Sequence, residues 1–186
     1  MFDIDPPRDT DSLRRELRRL QAEITEYMVT FQDDAFFTPQ GEHWAPSGHI
    51  RHLAKCIRPV AAAMGLPKLV IRLRFGTSKS GSRDFEAVRT QYQAALSDGS
   101  AQAGGYAPSS AKPDLSPADW RSQIMGHFEK ASQQLDGAFD RWSDRQLDTL
   151  RLAHPILGPM TIRELLYFTL YHNAHHARRV RERAAG

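Results

Sequence analysis

The chain has 186 residues, 40% apolar and 25% charged, with a formal net charge of +3. That length supports one well-buried core and is short for two. The mild basicity comes largely from Arg14, Arg15, Arg18, Arg19 and Arg178, Arg179, Arg181, Arg183. These fall in helical patterns as solvated faces, with no binding motif or interleaved aromatics, and so argue against a nucleic-acid partner.

The start, Met1-Phe-Asp-Ile-Asp, has early acids and no apolar core, so residues 1–9 read as a tail rather than a secretory signal. No apolar run approaches the roughly 18 residues that span a bilayer. The single cysteine, Cys56, rules out an intrachain disulfide and fits a reducing compartment, so a cytoplasmic protein is expected.

From Asp11 to about Phe31, Leu13, Leu17, Leu20, Ile24, Met28 and Phe31 recur at spacings of three and four, which predicts an amphipathic helix. A loop with Pro39, Gly41 and Pro46 follows, and Ser47 can cap a second helix carrying Ile50, Leu53, Ile57 and Met64. Pro59 predicts a kink or an early stop there. Residues 69–75 read as helix rather than strand, and a short helix is predicted from Phe85 to Leu96. Residues 97–115, rich in Gly, Ser and Pro, form a long exposed loop, either a plain connection or a lid.

Ser116-Pro-Ala-Asp119 opens a third long helix running to about Trp142, and Ser143-Asp-Arg-Gln146 caps a short turn. Thr161-Ile-Arg-Glu164 is a capping box that begins the last helix, continuing to about Arg183. Four long helical patterns without a convincing strand pair define an all-α four-helix bundle. Its connections after helices two and three are too long for simple hairpins.

The last helix carries His172-Asn-Ala-His-His176. His172 and His176 lie one turn apart and can reach one divalent ion. His175 points about 140° away, towards solvent. On the second helix His52 lies off the aliphatic stripe and shares a face with Cys56, Pro59 and Ala63. Such small residues leave room between helices, for a pocket or for tight packing. His49 is the rival ligand, and periodicity does not choose between them. Cys56 reads as a packed thiol, His154 as a pocket-rim residue or, the reading preferred, a loop histidine before proline, and His43 and His127 as surface residues.

Trp44 stands eight residues before His52 in the run Trp-x7-His-Leu-Ala. That run, with His154-Pro-Ile-Leu-Gly-Pro-Met-Thr-Ile-Arg-Glu continuing to His176, resembles the signatures of the DinB-like (YfiT-type) superfamily of four-helix metal-binding proteins. The resemblance implies a bundle in up-down-down-up order and a metal site of His52, His172 and His176. Zinc or nickel is the expected ion, although imidazole ligation alone does not choose among zinc, nickel, iron and copper; the resemblance also implies a homodimer. Three neutral ligands leave positions open, as metal catalysis needs. The implied function is a metal-dependent enzyme, a thiol S-transferase or a hydrolase, acting on a small molecule that could be a low-molecular-weight thiol. The competing class is a non-catalytic metal- or ligand-binding stress or sensor bundle. Glu42 and Glu164 are candidate bases on chain order alone, and Glu164 is better explained by its capping box. Phe36, Phe37, Trp120, Phe128, Phe139 and Trp142 look too many for one bundle to hide, a second argument for a dimer.

Overall fold

The computed structural model describes residues 1–39, 41–109 and 113–184. Helix α1 (Thr10–Val29) starts at Asp9, whose carboxylate accepts from the Ser12 amide while the Ser12 hydroxyl accepts from the Asp9 amide. Its stripe Leu13, Leu20, Ile24 and Met28 is buried. After the short α2 (Asp33–Phe37), α3 (Pro46–Met64) begins with proline at its first turn. Ala45 is its N-cap, not Ser47, because Pro46 already supplies a helical φ and lacks the amide a cap would satisfy. The helix runs through Pro59 to Met64.

The long connection then holds α4 (Lys68–Phe75) and α5 (Phe85–Ser97) before α6 (Pro117–Ala138), which Ser116 caps. Next come α7 (Asp144–Thr149), with its Ser143/Gln146 capping box, and α8 (Ile162–Ala184). At the start of α8 the Thr161 hydroxyl accepts from the Glu164 amide and the Glu164 carboxylate accepts from the Thr161 amide, at 3.2 and 3.0 Å. Helix α3 packs against α6 and α8, α1 against the same two, and α5 lies along α8. The protein is predominantly helical, as expected.

Three expectations need correction. A strand pair does exist: β1 (Arg151–His154) and β2 (Gly158–Thr161) are antiparallel, with Arg151 opposite Thr161 and His154 opposite Gly158. Gly158 takes a positive φ of 71° at the end of the three-residue turn. The first nine residues are not a free tail. Phe2 is fully buried against Tyr27, its amide donating to Glu23 and its carbonyl accepting from Arg178. These contacts hold it at a φ of 63°, unusual for a side chain of this size. Nor are the aromatics in excess. Phe36, Phe128, Phe139 and Trp142 are buried within the one chain, and Phe37 stacks on Trp120 with centroids 4.5 Å apart.

Candidate metal centre

The small-residue face of α3 turns towards α8 and leaves a cavity of about 580 Å³. His52, Cys56, Pro59 and Ala63 form one wall, and Leu165, Phe168, His172 and His176 the facing one. Residues 101–106 close one side, and the β1–β2 turn closes another. The loop is held on α3 by three carbonyls: Tyr106 accepts from His52 Nδ1 (3.0 Å), Ala107 from Lys55 (2.7 Å) and Ser109 from Arg51 (2.8 Å).

The first of these bonds fixes a tautomer. A carbonyl only accepts, so His52 Nδ1 carries its proton and, in the neutral ring, Nε2 is bare. Burial disfavours the charged form of His52 despite that bond. Its Nε2 lies 3.1 Å from His172 Nε2. Two nitrogens each about 2.0–2.1 Å from one ion stand roughly 3–3.4 Å apart, so this pair fits a shared metal. Fixing one imidazole nitrogen on a backbone carbonyl is the usual outer support of a metal-binding histidine.

The rings of His52, His172 and His176 adjoin one another, with centroids 5.0 Å apart for the first two and 4.6 Å from each to His176. His172 is held well below the ordinary histidine range, first by burial and then by its neighbours, and so is His176. Both are therefore neutral and ligand-ready. His176 Nδ1 is turned to His49 Nδ1, 2.8 Å away, and its donor atoms stand outside the tight group formed by those of His52, Cys56 and His172. His49 itself is buried, pushed down to about 3, and its Nε2 has no partner among the described residues.

Cys56 belongs to the cluster. The donor atoms of His52, Cys56 and His172 all lie within 4.8 Å of one another, with the sulfur 3.6 Å from His52 Nε2. Burial pushes the thiol up to about 12, so without an ion it is protonated. Trp44 roofs the group, its ring parallel to His176 at 6.0 Å and tilted over His52 at 5.1 Å. Gly48 lets it lie close: a Cβ there would stand 3.1 Å from the Trp44 Cβ, and the tryptophan would have to give by a few tenths of an ångström.

His154 is not an idle loop residue. Its Nδ1 accepts from the amides of Ile156 and Leu157 at 3.3 and 3.1 Å, which places its proton on Nε2. The ring packs 4.3 Å from Phe168 on the cavity wall, and burial lowers it to about 4. His175 also lines the cavity instead of facing solvent, because α5 folds back and sets Tyr92 beside it. The place of His154 before the last helix offers its rim position as an alternative, whereas that of His175 depends on a distant segment and has no local signal. His43 and His127 are exposed. Glu164 is buried in a two-point pair with Arg83, at 2.9 and 3.0 Å, and takes no part in the cavity. Glu42 borders only an outer recess.

The class of the protein is that of a helical bundle with a histidine cluster between two long helices, roofed by tryptophan and lining a largely apolar, partly open cavity. Residues 16–180 match the DinB superfamily, and the chain belongs to it. A solved structure with a similar fold is described as "YfiT from Bacillus subtilis is a probable metal-dependent hydrolase with an unusual four-helix bundle topology". The two align with a TM-score of 0.57 at 14% identity, over 98% of this chain and 93% of that one. At that identity the likeness speaks for the fold. A comparison with curated proteins gives no match.

Proposed function

We propose that this protein holds one divalent ion, zinc or nickel, through His52, His172 and His176. We further propose that it acts as a metal-dependent enzyme, a hydrolase or a thiol S-transferase, on a small molecule bound in the cavity. The observation that carries the reading is the His52–His172 pair. One Nδ1 proton is spent on the Tyr106 carbonyl, and two Nε2 atoms meet at 3.1 Å among rings kept neutral. The ion would supply a Lewis acid that lowers the pKa of a coordinated water or thiol towards neutrality.

The chain's own groups do the rest. Trp44 limits water at the histidines, and the apolar walls take the substrate body. The His154 Nε2–H is a fixed donor for a carbonyl or leaving atom, oriented by two backbone amides. Among the described residues, Cys56 has its donor atom in one group with those of His52 and His172, and its coordination would close the site that the enzyme reading needs open. The bundle is assigned to the cytoplasm on its single cysteine.

Metal analysis of untagged protein tests the centre. One ion per chain is expected, falling to near zero in His172→Ala and His52→Ala. Stoichiometry unchanged by both substitutions overturns the assignment. A thiol-transfer screen with bacillithiol, mycothiol and glutathione, beside an esterase and amidase panel, tests catalysis. Silence throughout with metal bound favours the stress or sensor bundle.

The homodimer is assigned to α4 instead of the aromatics, because Leu69 and Leu73 on that helix are 64% and 77% exposed, with Leu66 and Val70 beside them. Light scattering is expected to give twice 21.1 kDa, and the monomer mass for Leu73→Glu. A monomer at micromolar wild-type concentration removes the dimer.

A further inference from the structure

Among the described residues, the wall of the 580 Å³ cavity contains no aspartate, glutamate, lysine or arginine. A divalent ion among neutral imidazoles there would have no counter-charge on the wall unless Cys56 gave up its proton. Charge in an apolar enclosure is costly without an opposite partner, so the occupant has reason to bring one.

A second recess, of about 240 Å³, opens beside the cavity and shares Trp44, Leu96, His175 and His176 with it. Arg179 and Arg183 wall this recess from α8. Neighbouring arginines on the helix are already used. Arg178 donates to the Phe2 carbonyl at 2.8 Å, and Arg181 donates to the Met1 carbonyl at 2.8 Å while lying over the Phe2 ring. Arg179 and Arg183 make no hydrogen bond or ion pair among the described residues. They sit four apart, where like charges repel, and the charge on Arg183 is disfavoured by burial and then by Arg179. The nearby acids are Glu42, exposed on the recess rim, and Glu182, the neighbour of Arg183. The helix dipole favours cations at this end, yet it would favour Arg178 and Arg181 equally and does not explain two unpaired ones facing the histidines.

We propose that Arg179 and Arg183 bind the acidic group of the substrate, and that the substrate is an amphipathic carboxylate with its apolar body in the cavity. This rests on the reading of the cavity as a substrate site, and it names the substrate class. Two charge-assisted donors on one carboxylate are worth roughly tenfold or more in affinity.

Calorimetric titration with octanoate, 1-octanol and octylamine tests it, on EDTA-stripped and metal-loaded protein and on the double variant Arg179→Gln/Arg183→Gln. Stripped wild-type protein is expected to bind octanoate at least about tenfold more tightly than octanol or octylamine. The double variant is expected to lose that preference while keeping its metal stoichiometry and thermal melt. Equal binding of octanoate and octanol by the wild type overturns the proposal. So does a preference that survives the double substitution, including one seen only with metal, which would put the carboxylate on the ion. An arginine-dependent preference in protein that never binds metal would leave this proposal standing and remove the metal reading, so the two fail separately.

Discussion

Where α1 meets α6, and where α7 meets α8, partly buried cations face carboxylates, whereas the cavity is walled, among the described residues, by neutral groups alone. Arg14 reaches Asp136 and Asp140 at 2.8 and 2.7 Å, and Arg163, only 7% exposed, spans Asp148 and Asp144, both at 2.6 Å. Arg83 closes on Glu164. The cavity has instead a cluster of histidines whose charged forms are suppressed by burial, and His49, in the recess beside it, has an unpartnered nitrogen. The framework carries its own compensation, so charge there serves packing geometry. The cavity withholds compensation, so its polar atoms are available to something from outside.

Acid gives the largest expected break in this contrast. The folded histidines titrate below their unfolded value, so the unfolded chain binds more protons as pH falls. Their contribution is complete above about pH 6.5 and is lost on acidification towards the folded values, about 4 for His154 and His175 and about 3 for His49. His49, 5% exposed, alone contributes roughly 2–3 kcal/mol of loss between pH 7 and pH 4.5. His154 and His175, only partly buried, add less. Asp136, lowered to about 2 first by Arg18, loses its contribution only as pH falls from about 4 towards 2, so the framework is intact in that window. Urea denaturation at pH 7 and 4.5 is expected to show this drop. Equal stability at both would mean that the cluster is hydrated and the contrast false.

The framework has its own test in Arg163→Ala. The change leaves Asp148 partly buried without its partner and cuts the guanidinium bond to the Thr10 hydroxyl. Asp144 is 71% exposed and is rescued by water, so the cost falls short of a fully buried pair. About 1–3 kcal/mol is expected from the denaturation midpoint at pH 7, with metal stoichiometry unchanged. Loss of metal at full stability would show that seam and cavity are coupled.

The sequence was most informative where local physics decides the outcome. Apolar spacing drew the long helices, and the Thr161/Glu164 capping box marked the start of α8. The small face of His52, Cys56, Pro59 and Ala63 is the cavity wall. What stayed hidden depends on distant partners. Two four-residue strands are too short to show alternation, and Phe2 has no periodic context. The tautomer of His52 is set by a carbonyl 54 residues away, and His49 meets His176 across 127. Periodicity also sends His175 outward, and only the return of Tyr92 on α5 brings it to the cavity.

The smallest effect sharpens the framework side of the comparison. Arg18 shares Asp136 with Arg14, at 2.5 and 2.8 Å, but is 56% exposed against 23% for Arg14. Removing Arg18 leaves the carboxylate with a partner, and an exposed pair is worth little after solvent screening and side-chain entropy. Arg18→Ala is expected to cost at most about 0.5 kcal/mol at low salt and less at high salt. The same substitution should raise the Asp136 carboxyl from about 2 towards its ordinary value, since the Arg18 bond is the first cause of its depression. NMR titration of Asp136 reads that shift directly. A carboxyl unmoved by the loss of Arg18 would make Arg14 the sole organiser of the seam, and a stability loss above 1 kcal/mol would place Arg18 among the buried, geometry-setting cations beside Arg163.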